Sequence, residues 1–281
     1  MGIRIITDSS ADFDRATAKR RQVEIISMAV QFGNASFLDG KTITNDVFYT
    51  LLKEGRENPT TSQPTPAEFL RVFEEAKAAG DQVVAVLISS VLSGTVQSAQ
   101  IAKGMCEYED IYIVDSLSAT AGIQILVNLA CKLRDSGLPA PGIAQELERL
   151  KGRIRIFAVL DTLEYLRRSG RLSGFQAGLG AMTKLKPVIT VRDGAVSIAA
   201  KAFGTSAAVK QLQKFLLQYP VDDAYPSYFL YTDDKEREEL LLPALREQGK
   251  LPLRLHYSSV GPTIGTHIGP GALGMAYIER E

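Results

Sequence analysis

The order of apolar and polar positions divides the chain into two parts of different character. Up to about residue 152, short apolar runs alternate with segments in which apolar residues recur at helical spacing. Strands that alternate with helices are typical of a parallel sheet covered by helices on both faces. The pattern predicts strands at 2–6, 23–32, 83–88 and 111–114, and helices at 11–19, 44–54, 65–79, 96–103, 119–133 and 139–151.

The second part of the chain predicts an α+β arrangement. Asp193-Gly194 lies between two β-rich runs and predicts a tight hairpin, hence an antiparallel pair. Asp161 and Glu164 are in capping-box register for a helix over 161–168. The remaining pattern predicts helices at 174–184, 206–218 and 235–248 and strands at 154–160, 227–231 and 251–257. The glycine-rich stretch 260–276 predicts a loop whose backbone approaches a ligand or the other domain closely. We therefore expect an α/β fold of two domains, a parallel α/β sandwich over 1–155 and an α+β domain with antiparallel strands over 156–281.

A small polar loop follows the strand predicted at 83–88. The hydroxyls of this loop, which surround Gly94, belong to Ser89, Ser90, Ser93 and Thr95. Hydroxyls and helix N-terminal amides beyond the end of a parallel strand are suited to holding a carboxylate or a phosphate. The alternative is that the hydroxyls only cap the following helix and satisfy a tight turn, and the loop by itself leaves both interpretations open.

A second polar loop precedes the helix predicted at 65–79. Its last residues, Thr65 to Glu68, are explained by helix capping, because they supply an N-cap, a proline at the first helical position and a capping box. Thr61, Ser62 and Gln63 are not explained by capping. These three residues are therefore better candidates for contact with a ligand.

Charge and cysteine content limit the classes of function. The 281 residues carry 32 lysines and arginines against 32 aspartates and glutamates, so no net field attracts nucleic acid or an anionic membrane surface. Cys106 and Cys131 lack the spacing of a metal or redox motif and are predicted to be buried, reduced thiols. No apolar run approaches the roughly 18 residues of a membrane span, and the first residues are typical of a strand rather than a signal peptide. We expect a soluble, cytoplasmic protein without a metal site or a membrane-embedded segment.

Two motifs that suggest other functions lack the necessary context. The segment 269–274 matches the spacing of a dinucleotide-binding loop, but only 275–281 follow it, without the helix and acidic residue that such a site requires. A serine-based acyl hydrolase or transferase with His267 as base is the alternative to a binding protein. The chain has no Gly-x-Ser-x-Gly segment and only two histidines, His256 and His267, so this alternative has little support.

A series of segments resembles the DegV family of bacterial proteins. They are Thr7-Asp8-Ser9, Thr61-Ser62-Gln63-Pro64, Ser89 through Thr95, Asp115-Ser116, Leu163 through Arg171, Lys186-Pro187 and His267 through Gly271. The resemblance covers essentially the whole chain. It implies a non-catalytic protein of two domains that binds a long-chain, palmitate-like fatty acid between them and needs no cofactor.

The resemblance also implies roles for individual residues. The residues implied to surround the acyl carboxylate are Thr61, Ser62, Ser93, Gly94, Thr95 and His267. Arg171 is a candidate contact to a partner or to a phosphate. For the acyl chain we predict a tunnel lined by a Gly/Ala-rich helix over 174–182 together with Ile123, Leu126 and Val127, with ordinary core packing as the alternative at each position.

Some members of the family carry the acyl chain for a fatty acid kinase, in which a separate ATP-binding protein phosphorylates the carboxylate. The resemblance therefore implies a kinase subunit as a partner in addition to the fatty acid. This chain departs from the family pattern at Lys201-Ala202-Phe203, where Phe203 replaces the usual arginine. If that arginine docks the kinase, this chain binds lipid without belonging to such a pair.

Overall fold

The computed structural model describes residues 2–55, 57–173 and 185–281. In chain order, the strands are β1 (Ile3–Asp8), β2 (Val23–Ile26), β3 (Ala29–Phe32), β4 (Ala35–Leu38), β5 (Thr60–Ser62), β6 (Gln82–Leu87), β7 (Ile111–Asp115), β8 (Ile154–Val159), β9 (Leu185–Arg192), β10 (Ala195–Phe203), β11 (Ser227–Tyr231), β12 (Leu255–Ser259) and β13 (Leu273–Ile278). The helices are α1 (Arg15–Arg20), α2 (Asn45–Glu54), α3 (Pro66–Ala79), α4 (Thr95–Cys106), α5 (Ala121–Asp135), α6 (Ala140–Lys151), α7 (Glu164–Ser169), α8 (Thr205–Gln218), α9 (Leu242–Glu247) and α10 (Pro262–Ile268). Short 3-10 helices occupy Ser9–Ala11 and Lys235–Leu240.

The first sheet is parallel throughout, in the order β2-β1-β6-β7. Its strand β6 has neighbours on both sides and is buried from Val83 to Leu87, as its continuous apolar run predicts. α3 begins as predicted, with Pro66 at its first position and a capping box between Thr65 and Glu68. The carboxyl ends of parallel strands meet at one edge of the sheet, so the polar residues that follow β1, β6 and β7 lie along that edge. The predicted parallel α/β arrangement is confirmed.

The second sheet contains six strands in the order β10-β9-β8-β13-β11-β12. Its pairs are antiparallel except β11 with β12, and the predicted hairpin at Asp193-Gly194 joins β9 to β10. The prediction of a loop over 260–276 is wrong, because this stretch contains α10 and the start of β13, a buried strand in the interior of the sheet. Gly274 allows this close pairing, since a Cβ there would lie 2.4 Å from the carbonyl oxygen of Phe157.

A third, small antiparallel sheet has the order β4-β3-β5. The single strand predicted at 23–32 is therefore two strands, β2 and β3, that belong to different sheets. The turn between β3 and β4 includes Gly33, with φ of 53°, whereas Asp39-Gly40, a dipeptide typical of a tight hairpin, does not form one. Asp39 is buried instead, and its carboxylate accepts a hydrogen bond from the backbone N–H of Thr263. The loop predicted around Thr61 is in part the strand β5.

Two predicted helices have different limits in the structure. α7 begins at Glu164, and Asp161 caps no helix because its carboxylate pairs with Lys186, Oδ1 to Nζ 2.9 Å. The charged segment predicted as one helix over 235–248 is a 3-10 helix followed by α9. Pro243 explains the break, because a proline lacks the N–H needed to continue a helix through it.

The helix predicted over 174–184 lies outside the described residues. No helix within the described ranges is both long enough and apolar enough to cross a bilayer. Cys106 and Cys131 are buried and form no disulfide, as predicted.

α5 packs against both large sheets and joins them into one core. On one side the Gln124 amide donates to the carbonyl oxygen of Asp12 at 2.9 Å, and on the other the Asn128 amide donates to the hydroxyl of Tyr228 in β11 at 2.8 Å. Its small residue Gly122 faces β8, where an added Cβ would lie 3.1 Å from Ile156. The largest apolar cluster therefore contains residues of both sheets and of the helix between them.

Candidate functional site

A cavity of about 420 Å³ lies between the two large sheets. Polar side chains from three separate segments line it: β5 and the residue after it, the loop that follows β6, and the end of α10. The described polar lining residues in these segments are Thr61, Ser62, Gln63, Ser93 and His267. The structure thus brings together residues that are more than 200 positions apart in the sequence, since Thr61 and His267 are separated by 206.

The first polar contact in this cavity joins β5 to α10. The Thr61 hydroxyl lies 3.0 Å from Nε2 of His267. His267 is in the last turn of α10, which ends at Gly269 with φ of 74°. A side chain at Gly269 would collide with the ring of Tyr165, 2.3 Å from the position of its Cβ, so a glycine is needed for the helix to end beside α7.

The second polar contact lies in the loop that follows β6. The hydroxyls of Ser93 and Thr95 are 2.9 Å apart, and Thr95 is fully buried at the start of α4. Gln63 covers Gly94, where an added Cβ would lie 2.3 Å from Oε1 of Gln63, and the Gln63 amide donates to Ser98 at 3.2 Å. Ser93 lines the cavity, whereas Gly94 and Thr95 lie behind it and position the loop.

The electrostatic character of the polar end is set by His267 and Arg171. Burial, with the nearby positive charge of Arg171, lowers the pKa of His267 from 6.5 to about 4, so its imidazole is neutral at pH 7. Arg171 lines the same cavity and donates to the backbone carbonyl of Ser169 at 2.6 Å. Arg171, the predicted candidate for contact with a partner or a phosphate, is thus an exposed cation at the edge of the cavity.

The apolar part of the lining comes mainly from the second sheet. Ile123, Leu126 and Val127 belong to the largest apolar cluster and not to the described lining of the cavity, which is the alternative of ordinary core packing. The segment 174–182 lies outside the described residues. The apolar lining residues of the second sheet are Ile156, Ala158, Ile189, Val191, Val196, Leu230 and Leu273. Their alternation along the strands predicts which face is buried, but it does not distinguish a cavity wall from a packed core.

Thr120 is a lining residue that the sequence reasoning missed. It has φ of 47° and ψ of −133°, a conformation that is strained for a β-branched residue. Its backbone N–H donates to the carbonyl of Ser10 at 2.9 Å, which holds the start of α5 against the loop after β1. Strain of this kind is concentrated at functional sites, but no side-chain pattern in the sequence reveals it.

Three buried carboxylates lie behind this site. Asp8 accepts hydrogen bonds from the backbone N–H groups of Ser10 and Ile88, at 2.9 and 2.8 Å. Asp12 accepts from the N–H of Gly261 at 2.9 Å, and burial raises its pKa well above the ordinary value. Burial also raises the pKa of Asp39 to about 6. Within the described ranges, no group of acidic, histidine or cysteine side chains has the arrangement of a metal site.

The geometry does not support the alternative of a serine hydrolase. Such a site needs a serine hydroxyl within hydrogen-bond reach of the base, and a third group that orients the base. Nε2 of His267 is engaged by Thr61, Nδ1 has no hydrogen-bond partner, and no described serine hydroxyl bonds to the ring. Ser93 is paired with Thr95 instead.

Comparison with known proteins gives concordant results for sequence and structure. The sequence model of the DegV family, described as one of uncharacterised proteins, matches residues 2–280. A DegV domain-containing protein of Caldanaerobacter subterraneus is 33% identical over 279 residues, with 99% of each chain covered. The solved structure of a fatty acid-binding DegV family protein from Thermus thermophilus has a TM-score of 0.90 and 32% identity, with each chain fully covered (100%). A stearic acid-binding protein from Eubacterium ventriosum has a TM-score of 0.87 and 25% identity, over 99% of this chain and 98% of the other.

Proposed function

The chain belongs to the DegV family, and on that premise we propose that it binds a long-chain fatty acid in the cavity between its two large sheets. The observation that carries the proposal is the division of the described lining, with hydroxyl, amide and imidazole groups in one set and apolar side chains of the second sheet in the other. A fatty acid has this division, with a carboxylate at one end of a hydrocarbon chain. In this proposal the domains 1–155 and 156–281 meet at the cavity.

The size of the cavity supports a ligand of this class. Its volume of about 420 Å³ lies within the range of roughly 300 to 1,000 Å³ that is usual for small-molecule sites. Each methylene removed from water contributes about 0.8 kcal/mol, so a long acyl chain supplies most of the affinity. The polar groups then fix the orientation of the ligand and oppose the burial of an unpaired carboxylate.

We assign the carboxylate to the polar end of the cavity. The neutral ring of His267 donates from Nε2 to the Thr61 oxygen in this assignment, which leaves the hydroxyl protons of Thr61, Ser62 and Ser93 for the carboxylate. Gly94 and Thr95 act indirectly, since they shape the loop that presents Ser93. The cation Arg171 adds a longer-range attraction for the anion at the edge of the site.

Native mass spectrometry of the purified protein, followed by extraction and identification of the lipid, tests the binding function directly. One fatty acid per chain is the expected result.

Ser93→Ala should then weaken stearate binding by roughly 1 to 3 kcal/mol, as expected when a hydrogen bond to a charged group is lost. Ser206→Ala, at an exposed position of α8, is the matched control. A folded Ser93→Ala protein that binds as tightly as the control contradicts the role of Ser93, and a chain that neither carries nor takes up fatty acid contradicts the function.

Presentation of the bound carboxylate to a separate ATP-binding kinase subunit is the second part of the proposal. It is supported by the exposed Arg171 at the polar end. Phe203, which is 71% exposed at the end of β10, is the departure from the family pattern that bears on docking. Because such a reaction uses ATP, we propose the cytoplasm as its location.

Reconstitution with a bacterial fatty acid kinase subunit and ATP should yield acyl phosphate. Phe203→Arg should raise the rate if the departure at this position weakens docking. No acyl phosphate with either protein would refute the partnership while leaving lipid binding intact.

A further inference from the structure

A second and larger cleft, of about 1,180 Å³, lies between α1, α5 and the β11–β12 edge of the second sheet. We call it the basic cleft. It shares no described lining residue with the fatty acid cavity. The two are separated by a wall that contains Asp39, which lines the basic cleft, and Thr263, which lines the fatty acid cavity and donates to Asp39.

Cationic side chains form one side of the basic cleft. The ends of α1 and α5 are adjacent, since the Arg134 guanidinium donates to the backbone carbonyl of Arg21 at 2.9 Å. Arg134 is neutralised by Asp135, with 2.9 Å between Nη2 and Oδ1. The side chains of Arg21 and Lys132, by contrast, form no hydrogen bond or ion pair with any residue of the described ranges, and both are exposed.

The charges that line the basic cleft do not balance. Its described lining contains six lysines and arginines, while its exposed acids are Asp14 and Asp135. The other two acids are Asp12 and Asp39, so the described lining carries two more cations than acids even when all four acids are counted. The cleft is thus positive although the whole chain has a formal net charge of zero, which is a local field that attracts anions.

Aromatic rings form the other side. Tyr228 and His256 pack with their ring centroids 5.5 Å apart, and Tyr225 also lines the cleft. The hydroxyl of Tyr228 accepts from Asn128 of α5, one turn before Lys132. Tyr228 also lies close enough to Arg21 for that cation to act on its hydroxyl. The aromatic and cationic sides therefore face the same space.

We propose that the basic cleft is a second ligand site, for a ring-bearing di- or polyphosphate of nucleoside diphosphate size. Arg21 and Lys132 pair with the phosphates, because among the cations of the described lining these two have no acceptor. The ring stacks on His256 and Tyr225. An inorganic phosphate alone leaves the aromatic side unused, and the flat surface of an anionic membrane does not reach the concave floor formed by Asn128.

Isothermal titration calorimetry with ADP, in buffer of about 50 mM salt where screening is weak, tests the proposal. We expect saturable binding of one ADP per chain, with adenosine and inorganic pyrophosphate each bound more weakly than ADP. The double variant Arg21→Ala/Lys132→Ala should weaken ADP binding by at least about tenfold, because two charge-assisted contacts are lost. The control Lys210→Ala/Lys214→Ala removes the same charge from exposed positions of α8 and should bind as the parent does.

Bound fatty acid is measured in all three proteins and should be equal, which separates this site from the proposed function. The proposal is overturned if the parent does not bind ADP up to about 1 mM. It is also overturned if the cleft variant binds ADP as tightly as the control. Equal affinity for ADP and pyrophosphate would show that the aromatic rings do not contribute to binding. The parent could also fail to bind ADP but sediment with phosphatidylglycerol vesicles, while the cleft variant does not sediment with them. That result would assign the cations to binding a membrane surface instead.

Discussion

Titration of His267 should make the stability of the lipid-free protein depend on pH in a calculable way. Burial beside Arg171 lowers the pKa of this imidazole from 6.5 to about 4 in the folded protein. The unfolded chain therefore binds a proton between these pH values that the folded protein does not. The contribution of neutral His267 to stability is fully present above pH 6.5 and is lost as the pH falls through 4.

The magnitude follows from the size of the shift. A difference of about 2.5 pKa units corresponds to about 3 kcal/mol at 1.36 kcal/mol per unit. The comparison is between the parent and His267→Gln, whose amide can still bond to Thr61 but does not titrate. Other titrating groups, including the buried carboxylates, are common to both proteins and cancel in the difference.

Urea unfolding of both proteins at pH 7, 6, 5 and 4 measures this difference in the free energy of unfolding. The parent should lose about 3 kcal/mol relative to His267→Gln between pH 7 and pH 4. A difference that stays constant over this range would show that His267 titrates normally in the folded protein. The reasoning on burial and on Arg171 would then be refuted.

Three further changes test other parts of the structure. Asp39→Asn tests a dependence of opposite sign. Burial raises the Asp39 pKa from 3.8 to about 6, so the contribution of Asp39 to the stability of the parent is present below pH 3.8. In the same unfolding experiment the parent should lose about 3 kcal/mol relative to Asp39→Asn as the pH rises through 6. Gly94→Ala should displace Gln63 and weaken fatty acid binding several-fold in a stearate titration, since its Cβ would lie 2.3 Å from Oε1. Gly104→Ala, in the following helix α4, has open space and should raise the free energy of unfolding by about 0.5 to 1 kcal/mol. Leu126→Ala should lower the free energy of unfolding by about 2 to 5 kcal/mol, because this side chain is fully buried in α5, and a smaller loss in chemical denaturation would mean that the core refills the space.

The sequence predicted the first sheet better than the second for a physical reason. Continuous apolar runs such as 83–88 are buried on both faces of a parallel sheet, and capping at Thr65 and Thr44 marks where helices begin. β13 was missed because Gly274 and the glycines before the strand resemble a loop, although Gly274 lets two backbones approach. That requirement arises from a strand more than 100 positions away, so no local pattern contains it.

The candidate site, too, could be predicted only in part: its polar residues were found from the sequence, and its apolar lining was not. Thr61 could be named as a candidate from the sequence because helix capping explains Thr65 to Glu68 and leaves the Thr61 hydroxyl without a local structural role. For the apolar wall, Ile123 and its neighbours were candidates with ordinary core packing as the alternative, and the structure places them in the core. Lining residues such as Ile189 obey the same alternation as any buried strand residue, so only the tertiary arrangement shows that they border a cavity.

The position of α5 between the two sheets has a consequence for how fast a ligand can exchange. Separating the sheets as rigid halves would bring Ile123 and Leu126 into water, at a cost of about 1.5 to 3 kcal/mol for each. It would also break the contacts of Gln124 and Asn128 on the two sides of the helix. We therefore expect a molecule held in the cavity to leave by local opening at the rim, where fewer contacts are broken. The residence time of such a ligand should be set by the loops and short segments at that rim, while the two sheets and the helix between them stay together during exchange.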